Sequence, residues 1–415
     1  MPAPFDRRAF LRRLGVGAAT VAGGSALLAA CERATPVTTA GSIELSSPPG
    51  PTWEAGRPLN RAATLRIYQW KEYLAGAVIR DFEARYDGDV RVQVDSFTTI
   101  DEAVATLQDP ATRYDVFFPT IDALPGLIDQ RLLQPLDHDL LPHLGNLWPW
   151  FTASDGPFYD PGQGYSVPYT VYSSGLAWRS DLVDAADAPD VATDPYGAYW
   201  NGAYRDRVGM YDDHLEALSM LLRRRGIADV VHATDEQLTA AADDLAAARA
   251  ATRVRLTNDG VAEGLPEGAF ALHQAWSGDV LATPRYAIEE GHGAEAEQLR
   301  YWAPAGPGAI VGCDLMAVCQ RGRWPELAHA FIDHLLRVEI GVANFCWNGY
   351  QPPLEGVSRS AFSATGSPWR REIMPGLLPA MLDPEEFAQG QMLVGFGPQD
   401  EARWLAQWNR VASGT

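Results

Sequence analysis

The run LRIYQWKEYLAGAVIRDFEARYDGDVRVQV, residues 65–94, changes its hydrophobic period twice. Leu65 to Tyr68 alternates as a strand. Leu74, Val78, Ile79, Phe82 and Tyr86 then recur at helical spacing, and after the Asp87-Gly88 turn Val90, Val92 and Val94 alternate again. A short helix over residues 101–107 leads into Tyr114-Asp115-Val116-Phe117-Phe118-Pro119, an apolar run typical of a buried parallel strand. This βαβαβ order predicts an α/β fold, with a parallel sheet and helices on both faces. Ligands of such sheets gather beyond the carboxyl ends of the strands. Trp70 and Tyr73 follow the first strand, and Thr120 and Asp122 follow the third, so all four fall along one rim. Trp70 suits core packing equally well.

Working towards the C-terminus, Tyr165 to Tyr169 and the small-residue stretch Ser173 to Trp178 read as a first crossing into a second lobe. There Val208 to Tyr211 is a strand, Asp212 to Arg225 a helix ended by Gly226, and residues 235–251 an alanine-rich helix. Gly268 to Trp276 reads as a strand running into Ser277-Gly278-Asp279. Arg300 to Pro304 crosses back, and Cys313 to Val318 is a strand of the first lobe. Pro325 opens an amphipathic helix, Asn348 to Pro353 forms a turn beside the rim, and Trp404 and Trp408 share one helical face that packs on the second lobe.

Four acids in this layout carry chemistry. Asp213 and Glu216 lie three apart in a first helical turn, where they fit a capping box as well as a ligand. Asp279 fits a helix cap too. Asp314 sits inside an apolar strand, where a charge is costly unless it is paired or faces a cleft. Together with Trp70, Tyr73, Trp276 and Tyr350, these carboxylates would bind an organic cation: acids on the amines, rings against methylenes and ammonium faces. Binding is therefore expected, not catalysis. The sequence holds no nucleophile elbow, phosphate-cradling glycine loop or metal-spaced His/Cys set, and no cofactor or metal is expected.

The chain has 415 residues, enough for two lobes, and a formal net charge of −20, which argues against a nucleic-acid partner. Asp6-Arg7-Arg8-Ala9-Phe10-Leu11-Arg12 reads as a twin-arginine export signal, followed by an apolar run to Ala30. Leu28-Ala29-Ala30-Cys31 resembles a lipobox, with Cys31 as the acylated residue; an uncleaved membrane anchor is the alternative. Either way the protein is exported, and with Cys31 acylated it sits on the outer face of the cytoplasmic membrane. Residues 32–60, rich in Pro, Thr, Ser and Gly, read as a flexible tether. Of Cys313, Cys319 and Cys346, an oxidising compartment permits a bridge from Cys346 to either of the others.

Taken in order, Tyr68 to Tyr73, Tyr114 to Thr120, Tyr165 to Tyr169, Tyr211 to Glu216, Trp276 to Asp279, Asp314 to Ala317 and Gly349 to Pro353 resemble the substrate-binding lipoproteins of bacterial spermidine/putrescine ABC transporters. The resemblance spans nearly all of residues 64–415. It implies a two-lobed periplasmic-binding-protein fold of type II that closes by hinge bending. It also implies a cleft lined by Trp70, Tyr73, Thr120, Asp213, Glu216, Trp276, Asp279 and Asp314, with Tyr350 and Gln351 nearby. The partners would be a polyamine and the permease subunits of an ABC importer, and the receptor is expected to be a monomer. The expected boundaries are a signal peptide at 1–30, a tether at 31–60, lobe 1 at 61–172 plus 300–340, and lobe 2 at 173–299 plus 341–415. One departure concerns selectivity. Ile121-Asp122 stands where the family often has a tyrosine, which opens the site to another amine, a thiamine-like cation, an amino-acid derivative or a sugar.

Overall fold

The computed structural model describes residues 62–153, 157–368, 373–394 and 396–412. The expected signal peptide, Cys31 and the tether lie outside them. Strand β1 (Ala63–Trp70) pairs in parallel with β2 (Val90–Phe97) and β3 (Val116–Phe117). Helix α1 (Gly76–Ala84) joins β1 to β2 and buries Val78 and Phe82, one turn apart. Helix α2 (Ile100–Gln108) leads on to β3 and starts where Thr99 accepts the backbone N–H of Glu102.

Two long strands carry the chain between the halves of the molecule. β4 (Ser166–Arg179) leaves the first half and β9 (Ile310–Val318) returns to it, antiparallel to β4. In the second half β5 (Val208–Met210) pairs in parallel with β6 (Arg255–Leu256) and with β7 (Leu272–Trp276). β7 and β8 (Leu299–Trp302) both run antiparallel to β4. The order is β2-β1-β3-β9-β4-β7-β5-β6, so each half has a parallel core and the antiparallel pairs collect where the chain crosses. β4 is the common element. Its first residues pair with β9 and its last with β7 and β8, which puts the inner edges of both halves along one strand.

β7 begins at Leu272, four residues later than the hydrophobic run suggests. Gly268 takes a left-handed φ of 73° and turns the chain there, so Ala269 and Phe270 precede the strand.

The helices that position the site are α3 (His214–Arg224), α5 (Ser277–Glu289) and α7 (Val338–Asn348). Between α3 and α5, α4 (Asp235–Thr252) starts in a capping box on Thr234. Pro325 opens α6 (Pro325–Leu335). Phe345, Leu354, Phe362 and Phe387 share a core that runs from Ile67, Val116 and Trp148 to Tyr211 and Tyr301. Trp404 and Trp408, on α8 (Pro398–Ala412), pack with Leu218 of α3 and with Leu238 and Leu245 of α4. The Trp148 indole donates to the carbonyl of Leu354 at 2.9 Å and meets Phe387 edge-on. Among the described residues Cys313, Cys319 and Cys346 form no disulfide; the first two are buried and the third is exposed.

Candidate ligand-binding site

Asp314 lies on β9, directly opposite Thr170 of β4, and is 8% exposed. The Tyr73 hydroxyl donates to its Oδ2 and also lies 3.2 Å from Thr170 Oγ1. Tyr73 is fixed from behind. Its carbonyl accepts from the amides of Asn344 and Asn348 on α7 and from the Tyr169 hydroxyl, and the N–H of Ala75 donates to Asn344 at 2.8 Å. Burial lifts the Asp314 carboxyl to about 7; the Tyr73 donor works against the shift and the charge of Asp122 adds to it.

The Tyr73 ring meets Tyr350 edge-on, with centroids 5.3 Å apart. The Tyr350 hydroxyl donates to Asp279 Oδ1 at 2.7 Å, and Tyr211, at the end of β5, donates to Asp279 Oδ2 at 2.8 Å. Asp279 stands in the first turn of α5 but makes no side-chain cap there, because both its oxygens face tyrosine hydroxyls. Burial raises its carboxyl, and the two donors partly offset the rise.

Tyr211 continues the arc. Its ring stacks on Trp276 at 4.3 Å, and its hydroxyl accepts the Trp276 backbone N–H at 2.8 Å. The Trp276 indole N–H then donates to Glu216 Oε1 at 2.8 Å. Glu216 is 7% exposed, and its Oε2 is buried beside the Ser174 hydroxyl without a well-formed hydrogen bond. Burial is again the first cause that lifts this carboxyl to about 7, and the neighbouring Asp213 charge is the second. Asp213 caps α3, accepting the Glu216 backbone N–H at 3.0 Å. The Asp-x-x-Glu pair therefore divides its work: Asp213 caps, and Glu216 turns away from the helix end to Trp276.

Asp314, Tyr73, Tyr350, Asp279, Tyr211, Trp276 and Glu216 thus form one continuous arc of contacts drawn from both halves of the sheet. None of the described ion pairs reaches Asp314, Asp279 or Glu216. The arrangement is a largely buried row of carboxyls with aromatic rings between them, suited to a ligand that supplies cations.

The other candidates stand at the margin. Thr120 bridges to Asp314 through its backbone and keeps a buried hydroxyl without a partner. Asp122 is exposed but close enough for its charge to act on Asp314. Trp70 packs on Phe97 at 4.6 Å, and its indole N–H is buried without a partner. The Gln351 amide donates to the carbonyls of Val357 and Leu382 and accepts the N–H of Leu382, all at 2.8–2.9 Å, so it braces the turn behind Tyr350.

Two residues at the centre were absent from the sequence reading. Tyr211 was quoted only as the end of a strand. Tyr172, on β4, lies 6.1 Å from the Trp276 ring and 6.4 Å from the Tyr350 ring. Its signal was the period of two: Thr170, Tyr172 and Ser174 share one face of the strand that faces Asp314.

Among the described residues no group of three or more His, Cys, Asp or Glu side chains could hold a metal ion, and no helix is long and apolar enough to cross a membrane. A model of the bacterial extracellular solute-binding protein family matches residues 77–367. The chain belongs to that family. This solute-binding protein is 26% identical over 331 residues to the putrescine/agmatine-binding protein of Pseudomonas aeruginosa, covering 76% of this chain and 86% of that one. It is 23% identical over 282 residues to the putrescine-binding periplasmic protein PotF of Escherichia coli, covering 67% and 74%. Among solved structures it superposes on the spermidine/putrescine ABC transporter substrate-binding protein PotD of Streptococcus pneumoniae with a TM-score of 0.67 at 20% identity, over 84% of this chain and 98% of that one. The PotD lipoprotein of Treponema pallidum gives a TM-score of 0.65 at 21% identity, over 84% and 99%. The two-lobed α/β fold expected from the sequence is therefore the fold of this solute-binding protein, and the family is one of receptors.

Proposed function

We propose that this solute-binding protein is the extracytoplasmic receptor of an ABC importer and binds a polyamine, putrescine or spermidine, between its lobes. One observation carries the reading: Asp314, Asp279 and Glu216 meet around tyrosine and tryptophan rings, and among the described residues no basic side chain is paired to them. A polyamine fits this chemistry, with ammonium groups on the acids and methylenes against the rings. The names of the relatives agree with it. Asp314, Tyr73, Tyr350, Asp279, Tyr211, Trp276 and Glu216 are the contact residues in this proposal. Asp213, Thr120, Asp122 and Trp70 stand at the rim. Each charge-assisted hydrogen bond is worth about 1.5–3 kcal/mol, so two ammonium ends support micromolar or tighter binding after the costs of association.

The same proposal makes the protein a monomeric lipoprotein, exported by the twin-arginine route, anchored through Cys31 and delivering ligand to a permease. The lobes divide at the β4 and β9 crossings, and residues 341–392 go with lobe 1. Isothermal calorimetry with putrescine and spermidine, and with a sugar and thiamine as controls, tests the ligand class. Micromolar or tighter amine binding that falls at least tenfold in Asp314→Asn or Trp276→Ala is expected. No amine binding, or wild-type affinity in both variants, overturns the reading.

A further inference from the structure

Tyr172 stands beside the middle of the arc, its ring 6.1 Å from that of Trp276 and 6.4 Å from that of Tyr350. On β4 it lies between Thr170, which faces Asp314 across the strand pair, and Ser174, which faces Trp276. Residues two apart on a strand point to the same side, so these three share one face, with Thr170 and Ser174 about 13 Å apart. Along that face the acids of the arc stand towards the two ends: Asp314 beside Thr170, and Glu216 beyond Trp276. The phenol feels both. Burial is the first cause that raises it well above its ordinary range, followed by the charges of Asp314, Glu216 and Asp122.

The ring has been given room to lie there. Its register partner on β9 is Gly312, and a Cβ at that position would come within 2.2 Å of the Tyr172 ring. Any larger residue at 312 pushes the ring out of its place. The Tyr172 hydroxyl makes no hydrogen bond within the described structure, so what the residue contributes at the centre is chiefly the bulk and face of its ring.

We propose that Tyr172 is the specificity-determining residue of this site, its ring favouring a short diamine with a charge at each end over a longer triamine with an internal ammonium. The inference rests on the amine-receptor reading above. An internal ammonium above Tyr172 gives up water beside Asp279, whose two oxygens each already accept a tyrosine hydroxyl, so it gains less there than a terminal ammonium gains at Asp314 or Glu216, each with one aromatic donor. The face of a tyrosine ring returns only part of that loss. Methylene groups at the same place give up nothing. The ring also takes volume that a longer chain would need in order to fold back within the site.

The test is the ratio of the putrescine and spermidine dissociation constants, measured by calorimetry on wild type, Y172A, Y172L and Y172F. Wild type is expected to prefer putrescine. Y172A should move the ratio at least tenfold towards spermidine, Y172L should move it less, and Y172F, which keeps the ring, should leave it within about threefold. Circular dichroism melts identify a variant that has lost its fold, and Y172L serves if Y172A does so. A wild type that prefers spermidine, an unmoved ratio in the folded Ala and Leu variants, or a Phe variant as altered as the Ala variant overturns the inference while the receptor reading stands. A wild type that binds neither amine overturns both.

Discussion

Trp276 donates its indole N–H to Glu216 Oε1 at 2.8 Å, while the other oxygen of Glu216 is buried beside the Ser174 hydroxyl without a well-formed hydrogen bond. Burial first, and the Asp213 charge second, favour its protonated form, with a pKa of about 7 in place of the usual 4.5, against the opposing pull of Trp276 and Ser174. A shift of that size corresponds to roughly 3 kcal/mol against the ionised form. Glu216→Gln keeps an acceptor for Trp276 and removes the charge. The ligand-free variant should be more stable than wild type at pH 8 by roughly 1–3 kcal/mol in urea denaturation, and should bind putrescine at least tenfold more weakly. Equal stability at pH 8 would show that the carboxyl carries no burial penalty.

Asp314 shares that condition, with a carboxyl also lifted to about 7 from 3.8. For an acid whose pKa is raised on folding, the stabilising contribution is fully present below the unfolded value and is lost as pH rises through the folded one. The window for these two groups runs from about pH 4 to above pH 7. From pH 8 down to pH 5.5 the ligand-free protein should thus gain stability from both. A bound cation reverses the preference, since it needs ionised partners. Putrescine should bind more weakly as pH falls below 7, by up to about tenfold per unit for each carboxyl. Calorimetry near pH 6.5 in buffers of different ionisation enthalpy should record proton release on binding. A pH-independent affinity between 5.5 and 8 would contradict this.

Asp213 separates capping from charge. It accepts the N–H of Glu216 as the cap of α3, and it is the nearest charge acting on that carboxyl. Asp213→Asn retains the cap, so stability at pH 8 should stay within a few tenths of a kcal/mol of wild type apart from the relief of Glu216. Asp213→Ala should cost about 1 kcal/mol in helix capping. Both remove the repulsion, so the pH midpoint of ligand binding should move down in both. A midpoint that moves only in the Ala variant would assign the effect to helix fraying.

How far the sequence carries this site depends on the range of the forces involved. The parallel strands, the amphipathic helices and the charged residue in the apolar β9 strand are local patterns, and they placed Asp314 inside its strand and Trp276 and Asp279 where a strand gives way to a helix. Partner choice is not local. Asp213 and Glu216 form the same four-residue pattern whether Glu216 closes a capping box or, as here, reaches Trp276 sixty positions away. Gln351 belongs to a turn beside the site, yet its amide is directed backwards to Leu382 by contacts 31 positions distant. Tyr172 was hidden for another reason. Its strand reads as one of many small-residue stretches until the register with β9 puts it opposite Gly312 and two places from the partner of Asp314.

Gly278 sets the position of the ring that closes the arc. It lies in the first turn of α5, and a Cβ there would come within 2.4 Å of the Tyr350 ring, closer than real Cβ contacts approach. Tyr350 cannot simply slide away. Its N–H donates to Asn348 Oδ1, its hydroxyl is tied to Asp279, and the preceding Gly349 holds a left-handed φ of 79° with its own Cα face against Ala282 and Gly278. Gly278→Ala must therefore shift the ring or the helix start. Overpacking of this kind typically costs 1–3 kcal/mol, so a stability loss in that range is expected. Losing the Tyr350 donor should also raise the Asp279 carboxyl further and weaken amine binding at least fivefold. Gly278→Ala combined with Tyr350→Ala removes the clash, and it should recover most of the stability while leaving binding impaired. A single Gly278→Ala variant with wild-type stability and affinity would mean that the ring does not rest where Gly278 leaves space for it.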